Sequence, residues 1–134
     1  MKKVYLTHCS AKKDESLKWN LKKVKPFNLY TATPTQRFMI KCQSTGVNWV
    51  IFSDKYGIWD SNEKHSWYEK NPNKVSNEEF KTLLNNFNTS LGKYYEIWFY
   101  YNPGRFHPLY NKLLKNSSLK KKIKLFTHLD EIVP

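Results

Sequence analysis

Trp49-Val50-Ile51-Phe52 is a continuous apolar run with polar residues on both sides, and it decides the expected fold. A strand with one wet face would alternate apolar and polar residues. An unbroken run instead predicts a strand covered on both faces, which is typical of a parallel sheet. We therefore expect the run to lie inside such a sheet.

The segments around this run alternate between strand and helix patterns. Further strands are predicted at Val4-Tyr5-Leu6-Thr7, at residues 95–101 and, as an edge strand, at residues 122–127. The signals that predict helix starts are Thr33-Pro34-Thr35-Gln36, Ser76-Asn77-Glu78-Glu79 and Pro108. In the first of these, Thr33 is the expected N-cap and Gln36 the capping-box partner.

This alternation predicts an α/β fold. We expect one domain over residues 1–134, built as three layers with a mainly parallel sheet of about four strands flanked by helices. Residues 12–32 are predicted to form a long basic loop with at most one helical turn. Residues 53–72 are predicted to form a long irregular connection, which in a compact domain is usually a binding loop.

Composition excludes several classes of protein. The chain has 134 residues, of which 40% are hydrophobic and 16% aromatic, so it is not collagen-like or disordered. Its apolar runs are far shorter than the ~20 residues of a membrane span, and the first one breaks at His8, so no secretory segment is expected. Two cysteines without ligand spacing predict no metal site, no cofactor and a reducing cytoplasm. The oligomeric state is left open.

The chain is strongly basic, with a formal net charge of +12. Such a charge is typical of proteins with an anionic partner such as nucleic acid or a nucleotide. However, 21 of the 23 basic residues are lysine, and they accompany 13 asparagines. An A/T-rich genome would produce this mixture whatever the function, so both explanations stay open. The two arginines, Arg37 and Arg105, are the more informative cations because only arginine offers a bidentate grip on carboxylate or phosphate.

Polar residues follow each of the first three predicted strands. The three segments are Cys9-Ser10-Ala11-Lys12-Lys13, Ser53-Asp54-Lys55-Tyr56-Gly57 and Pro103-Gly104-Arg105. Because loops that follow parallel strands emerge at one edge of the sheet, where open α/β sheets bind ligands, these segments should converge. They predict a positively charged pocket at the carboxyl edge.

Two of these segments carry candidate chemistry. A nearby lysine lowers the pKa of a cysteine, so Cys9 is a candidate nucleophile; alternatively, Cys9 packs under its loop. In the second segment, Ser53 and Lys55 are candidates for holding an anion, and Gly57 permits a turn that other residues resist; alternatively, this is an ordinary turn. Aromatic residues interleaved with lysines predict either base stacking or core packing. They are Phe52, Tyr56, Trp59, Trp67 and Tyr68.

These motifs resemble a family of small Rossmann-like α/β domains of unknown function. The resemblance is carried by Cys9-Ser10-x-x-Lys13, Leu29-Tyr30, Arg37-Phe38, Ser53-x-Lys55-Tyr56-Gly57, Tyr68-Glu69, and Gly104 with Tyr110. In that family Arg37-Phe38 has the reverse order and Asp54 is alanine. The chain is more remotely similar to the core domain of archaeosine synthase, which acts on a 7-deazaguanine base in transfer RNA and also begins with Cys-Ser followed by lysine.

We expect the pocket to bind a nucleobase, a nucleotide or a nucleic-acid end. The residues expected to neutralise the anion are Lys12, Lys13, Lys55, Arg105 and Arg37. Those expected to donate hydrogen bonds are Ser10 and Ser53, and those expected to pack against a ring are Tyr30, Tyr56 and Tyr68. Gly57 and Gly104 complete the predicted binding set. If the protein is an enzyme, the residues expected to carry a glycosidic or acyl-type transfer are Cys9, Lys13 and Glu69.

Three classes of function fit this set of residues. The first is an enzyme that modifies a nucleoside or nucleic acid. The second is a DNA- or RNA-binding module without catalysis, and the third is a protein of a mobile element that sequesters a small nucleotide. Binding that weakens steeply with salt would favour the second class.

Overall fold

A computed structural model describes residues 2–134 as one mixed sheet of five strands with helices packed on it. The strands are β1 (Lys3–His8), β2 (Trp49–Ser53), β3 (Gly57–Asp60), β4 (Glu96–Tyr100) and β5 (Ile123–Phe126). Their order across the sheet is β3-β2-β1-β4-β5. Strands β2, β1, β4 and β5 are parallel, and only β3 is antiparallel to its neighbour. The predicted α/β class and mainly parallel sheet are confirmed.

The helices occupy the connections between parallel strands. They are α1 (Pro26–Leu29), α2 (Thr33–Thr45), α3 (Asn77–Leu91) and α4 (Pro108–Asn116). Helix α3 has the predicted capping box, in which Ser76 and Glu79 satisfy each other's backbone N–H groups. Helix α4 begins at Pro108 as predicted, and β5 lies at the predicted edge of the sheet.

The expected count of about four strands is wrong, because residues 53–72 contain β3. The Ser53 side-chain oxygen accepts the N–H groups of Lys55 and Tyr56, which turns the chain sharply after β2. Gly57 completes the turn with φ at +75°, a conformation that disfavours other residues. The returning strand has only four residues, so its alternation is too short to register as a strand pattern in the sequence.

The start of α2 also differs from expectation. The helix begins at Thr33, but its N-cap is Ala32, and no side chain caps it. Gln36 is not a capping-box partner; its amide donates to the carbonyls of Phe27 and Tyr30 instead. Tertiary contact with the preceding loop has therefore replaced the local capping that the sequence predicts.

The core consists of two groups of buried side chains. One group joins Tyr5 of β1 and Ile51 of β2 to residues of α2, such as Phe38. The other joins Val4 and Leu6 of β1 to residues of α3 and α4. Neighbouring residues of β1 thus belong to different groups, because successive side chains of a strand point to opposite faces.

The direction in which successive parallel strands are added to the sheet reverses beside β1. The chain leaves β1 through α2 to reach β2 on one side, and it returns through α3 to β4 on the other side. Ligands of open α/β sheets bind at such a reversal, in the crevice outside the carboxyl ends of the strands. The ends of β1 and β4, at His8 and Tyr100, are therefore the place to look for a site.

None of the helices within residues 2–134 combines the length and the apolar character needed to cross a membrane.

Two glycines with positive φ give a matched test of the turn before β3. A Cβ at Gly57 would lie 2.4 Å from Asn86 Oδ1, which accepts the Ile58 N–H at 2.7 Å, whereas a Cβ at Gly46 would meet nothing within 4 Å. Gly46→Ala should cost only the left-handed strain, about 1–2 kcal/mol. Gly57→Ala should cost about 1–3 kcal/mol more, because Asn86 must move and its hydrogen bond is lost. Urea unfolding of both variants tests this, and equal losses would contradict it.

Candidate active site

A cavity of about 390 Å³ lies where the sheet topology predicts it, between the ends of β1 and β4. The last residue of β1, His8, and the residues after it, including Cys9 and Ser10, form one side. Residues following β4 form another, including Arg105, and the first turn of α2 closes it at Thr35. Three segments far apart in sequence therefore meet around one cavity.

Aromatic rings line much of this cavity. They are His8, Tyr100, Tyr101, His107 and Tyr110. The rings of His8 and Tyr110 stack on each other, with centroids 4.5 Å apart and planes 16° apart. A set of flat polarisable surfaces of this kind suits an aromatic ligand.

His8 is held in one protonation state and one tautomer. Its Nδ1 lies 2.8 Å from the carbonyl oxygen of Cys9, so Nδ1 carries the proton that it donates. Burial lowers the pKa of His8, against the opposing effect of this hydrogen bond, and the ring is neutral at pH 7. In residues 2–134 its Nε2 has no hydrogen-bond partner, which leaves an acceptor available to a ligand.

Two features make the electrostatic potential in the cavity positive, the Arg105 side chain and the start of helix α2. Arg105 lines it from the short turn Pro103–Arg105, and in residues 2–134 no carboxylate forms an ion pair with it. The first turn of α2 reaches the cavity with Pro34 and Thr35 and carries no side-chain cap. Backbone N–H groups at the start of a helix favour anions. The cavity therefore combines aromatic walls with one cationic side.

A second, smaller cavity of about 80 Å³ adjoins the first and shares Cys9, Ser10 and Tyr110 with it. Its other polar lining residues are Lys13, Asp54 and Lys70. Lys13 is almost fully buried, and its Nζ lies 4.5 Å above the ring of Tyr68. The smaller cavity thus brings a thiol, a carboxyl group and two ammonium groups together beside the aromatic cavity.

The expected lowering of the Cys9 pKa is wrong. Burial raises the pKa of the thiol to about 11, and the charge of Asp54 adds to the increase. The Cys9 Sγ donates to Asp54 Oδ1 at 3.5 Å and lies 3.4 Å from the Tyr110 hydroxyl. Proximity in sequence to lysines does not expose a thiolate here, because burial excludes water from the thiol and the Asp54 carboxylate lies beside it. At pH 7 Cys9 is a neutral thiol.

Asp54 is the acidic residue of the site, although it is not among the residues predicted from the sequence. It is buried, and burial raises the pKa of its carboxyl group, although Cys9 and Lys13 both favour the charged form. A buried carboxyl group beside a thiol and a lysine can take up or release a proton close to a bound molecule. Its position directly after β2 was the available signal.

Below the smaller cavity lies a buried chain of hydroxyl groups. Ser53 Oγ donates to the Tyr68 hydroxyl at 3.1 Å, and the Tyr68 and Tyr30 hydroxyls are 2.5 Å apart. Burial raises the pKa of both tyrosines well above the ordinary value, so both stay protonated. Ser53, Tyr30 and Tyr68 were predicted to contact the ligand directly. They instead lie beneath the site and support it.

The remaining predicted residues do not line either cavity. Lys12, Arg37 and Glu69 are exposed, and Gly104 is an exposed residue of the turn after β4. Gly57 lies in the turn against Asn86. Tyr56 stacks on His65, and its hydroxyl donates to Ser66. Lys55 lies 6.0 Å from the ring of Tyr68, in a shallow depression on the far side of Asp54.

The predicted set of stacking aromatics is largely core. Phe52 and Trp59 are fully buried, and Tyr68 is nearly so. The rings that line the main cavity lie instead at the carboxyl ends of β1 and β4, at His8 and Tyr100, and in the residues after β4. Sequence spacing could have found them only with the strand order known.

Comparisons of the chain with protein-family models, with curated proteins and with solved structures gave no match. The resemblance to small α/β domains therefore stays a hypothesis. Within residues 2–134, no three His, Cys, Asp or Glu side chains are grouped so that they could hold a metal ion.

The pKa of Cys9 predicts an unusual pH profile for its alkylation by iodoacetamide. The rate should rise about tenfold per pH unit from pH 7 to pH 10 without levelling, because the thiolate is the reactive form. Cys42, which is buried with a pKa of about 12, is the internal control and should show no plateau either. Peptide mapping by mass spectrometry separates the two cysteines. A plateau for Cys9 near pH 8 would contradict the assignment.

Proposed function

We propose that this protein binds a nucleotide unit, an aromatic base with its phosphate, in the cavity between the ends of β1 and β4. The observation that carries the proposal is the composition of that cavity, which pairs aromatic walls with Arg105 at the point where the strand order reverses. Its volume of about 390 Å³ falls in the range of small-molecule sites, roughly 300–1,000 Å³.

The base would occupy the aromatic part of the cavity. The stacked pair of His8 and Tyr110 offers a flat, preorganised wall. The unpaired Nε2 of neutral His8 suits a donor such as an exocyclic amine or a ring N–H. Such a ligand gains both apolar contact and a directed hydrogen bond, which together fix its orientation.

The phosphate would lie between Arg105 and the start of α2. Arginine forms bidentate hydrogen bonds to phosphate. Backbone N–H groups at the uncapped start of a helix also donate hydrogen bonds to an anion. Arg105 is therefore the cation with the largest expected effect on affinity. Arg37 is exposed on α2 and lines neither cavity.

The layer arrangement supports access to this site. From the two core groups we infer that α2 covers one face of the sheet while α3 and α4 cover the other, which makes three layers. In that arrangement the faces are closed and the carboxyl edge is the open route for a ligand. Both cysteines are free thiols, which fits a reducing cytoplasmic location.

A second candidate function is chemistry on the bound nucleotide. It is favoured by the buried pair of Cys9 and Asp54 in the adjoining cavity, with Lys13 beside it. Asp54 replaces the exposed Glu69 as the candidate acid or base for a glycosidic or acyl-type transfer. Cys9, as a neutral thiol, would need to transfer its proton before it attacked a substrate.

The chain's only two arginines give a matched test of the binding proposal. Isothermal titration with the ribo- and deoxyribonucleoside 5′-monophosphates should show binding by the unmodified protein. Arg105→Ala should weaken the tightest of them about tenfold or more, because charge-assisted hydrogen bonds contribute about 1.5–3 kcal/mol. Arg37→Ala should leave affinity unchanged. No binding of any monophosphate, or equal effects of the two substitutions, would refute the proposal.

A further inference from the structure

The most exposed large apolar side chains of the described residues lie in one loop. Trp19 is 89% exposed and Leu21 is 92% exposed, whereas most aromatic and aliphatic side chains of this chain are buried or half-buried. We call residues 18–23 the Trp19 loop. Exposing two large apolar side chains two residues apart is unfavourable in water, and exposed apolar surface can mark an interaction site.

The Trp19 loop is held in place at both ends. Leu17 before it and Val24 after it are buried in the core. Val24 also exchanges two backbone hydrogen bonds with His65, each 2.9 Å long. Inside the loop, the Asn20 side chain donates to the Ser16 carbonyl and accepts from the Lys22 N–H. The exposure of Trp19 and Leu21 is therefore a property of a structured loop.

The loop is also strongly basic. It contains Lys18, Lys22 and Lys23, and the chain has no acidic residue between Glu15 and Asp54. In the part of the chain that the structure describes, none of these three lysines forms an ion pair. Apolar side chains surrounded by unpaired cations are complementary to a polyanion that also carries flat apolar groups.

A row of cations and aromatic rings joins the loop to the site. Lys18 Nζ lies 5.3 Å from the ring of Trp19 and 5.4 Å from that of Trp67. Tyr68, the next residue, lies under the ammonium group of Lys13, which lines the smaller cavity. Because Lys13 and Tyr68 are buried, a strand leading from the cavity would contact the outer members of this row, the ammonium group of Lys18 and the exposed ring of Trp19.

We propose that the Trp19 loop binds single-stranded nucleic acid, with a base stacked on Trp19 and the lysines along the backbone. The proposal rests on the nucleotide site above and extends it, because it makes the ligand a polymer. Unpaired bases expose the π-faces that stacking needs, whereas the bases of a duplex stack on one another.

An anionic membrane surface fits the loop less well. The ammonium group of Lys18 lies over the indole of Trp19. Inserting that ring into a bilayer would carry the charge with it, and removing a charge from water is costly. A base stacked on the indole leaves the ammonium group in water beside a phosphate, which favours nucleic acid as the partner.

The test compares Trp19→Ala/Leu21→Ala with Tyr95→Ala. Tyr95 is a matched control because it is 74% exposed, lies two residues after Lys93 and directly precedes β4, at the end of that strand away from the cavity. Fluorescence anisotropy with a labelled oligothymidylate of about 15 nucleotides should show at least about a fivefold loss of affinity for the double variant, since stacking contributes about 1–3 kcal/mol per base. Tyr95→Ala should bind as the unmodified protein does.

A salt titration tests the lysines separately. Lys22→Gln/Lys23→Gln should reduce the slope of log K against log salt by about 1.4, because each phosphate contact to a single strand contributes about 0.7. An unchanged slope would overturn the electrostatic part of the proposal.

Parallel measurements separate this inference from the proposed function. The double variant should keep the mononucleotide affinity of the unmodified protein, since Trp19 and Leu21 line neither cavity. If mononucleotides bind and the oligonucleotide binds equally to all variants, the loop proposal fails and the site stands. If no mononucleotide binds but oligonucleotide binding requires Trp19, the proposed nucleotide site in the cavity is wrong. Loop-dependent binding to phosphatidylserine vesicles without oligonucleotide binding would overturn the proposal in favour of a membrane.

Discussion

The position of β1 and β4 on either side of the reversal in strand order governs where the cavity forms. The chain leaves β1 toward β2 and leaves β4 toward β5 on the opposite side, so the segments following β1 and β4 diverge and leave a crevice between the strand ends. His8 and Cys9 reach this crevice because β1 ends there, and Arg105 reaches it because β4 does. The same polar residues on an edge strand would face bulk water and would not enclose a ligand.

The chain of hydroxyl groups below the smaller cavity is a polar part of the core, and its energetics follow from burial. Ser53, Tyr68 and Tyr30 are buried, and each is satisfied by a hydrogen bond to another member of the chain. Left unpaired, each hydroxyl would cost about 1–3 kcal/mol. The low dielectric that makes pairing necessary also raises the pKa of Cys9 and of Asp54. Burial therefore explains both the hydrogen-bonded hydroxyl groups and the raised pKa values of Cys9 and Asp54.

Local patterns in the sequence predict much of the fold. The predictions that were wrong concern features that depend on contacts between segments far apart in the sequence. The capping box at Ser76 identified α3 because cap and helix are adjacent in sequence. Strand β3 was missed because a four-residue strand lacks a period that can be counted. Asp54 was missed, and Cys9 was assigned the wrong charge state, because burial depends on which segments meet in space. The exposure of Trp19 was not predicted, because the residue lies in the basic stretch 12–32, which has no clear periodicity.

The proposed nucleotide cavity and the Trp19 loop would reinforce each other if one strand bound to both. A cavity that holds one nucleotide with one arginine offers few directed contacts, and the loss of translational and rotational freedom offsets much of their gain. A second contact on the same rigid body, made by the same polymer, does not incur that loss again and acts at a high effective concentration. In the proposed binding mode, the Trp19 loop would supply such a contact through stacking and charge. A free mononucleotide could not use that contact, so the proposal implies tighter binding of a strand than of a mononucleotide.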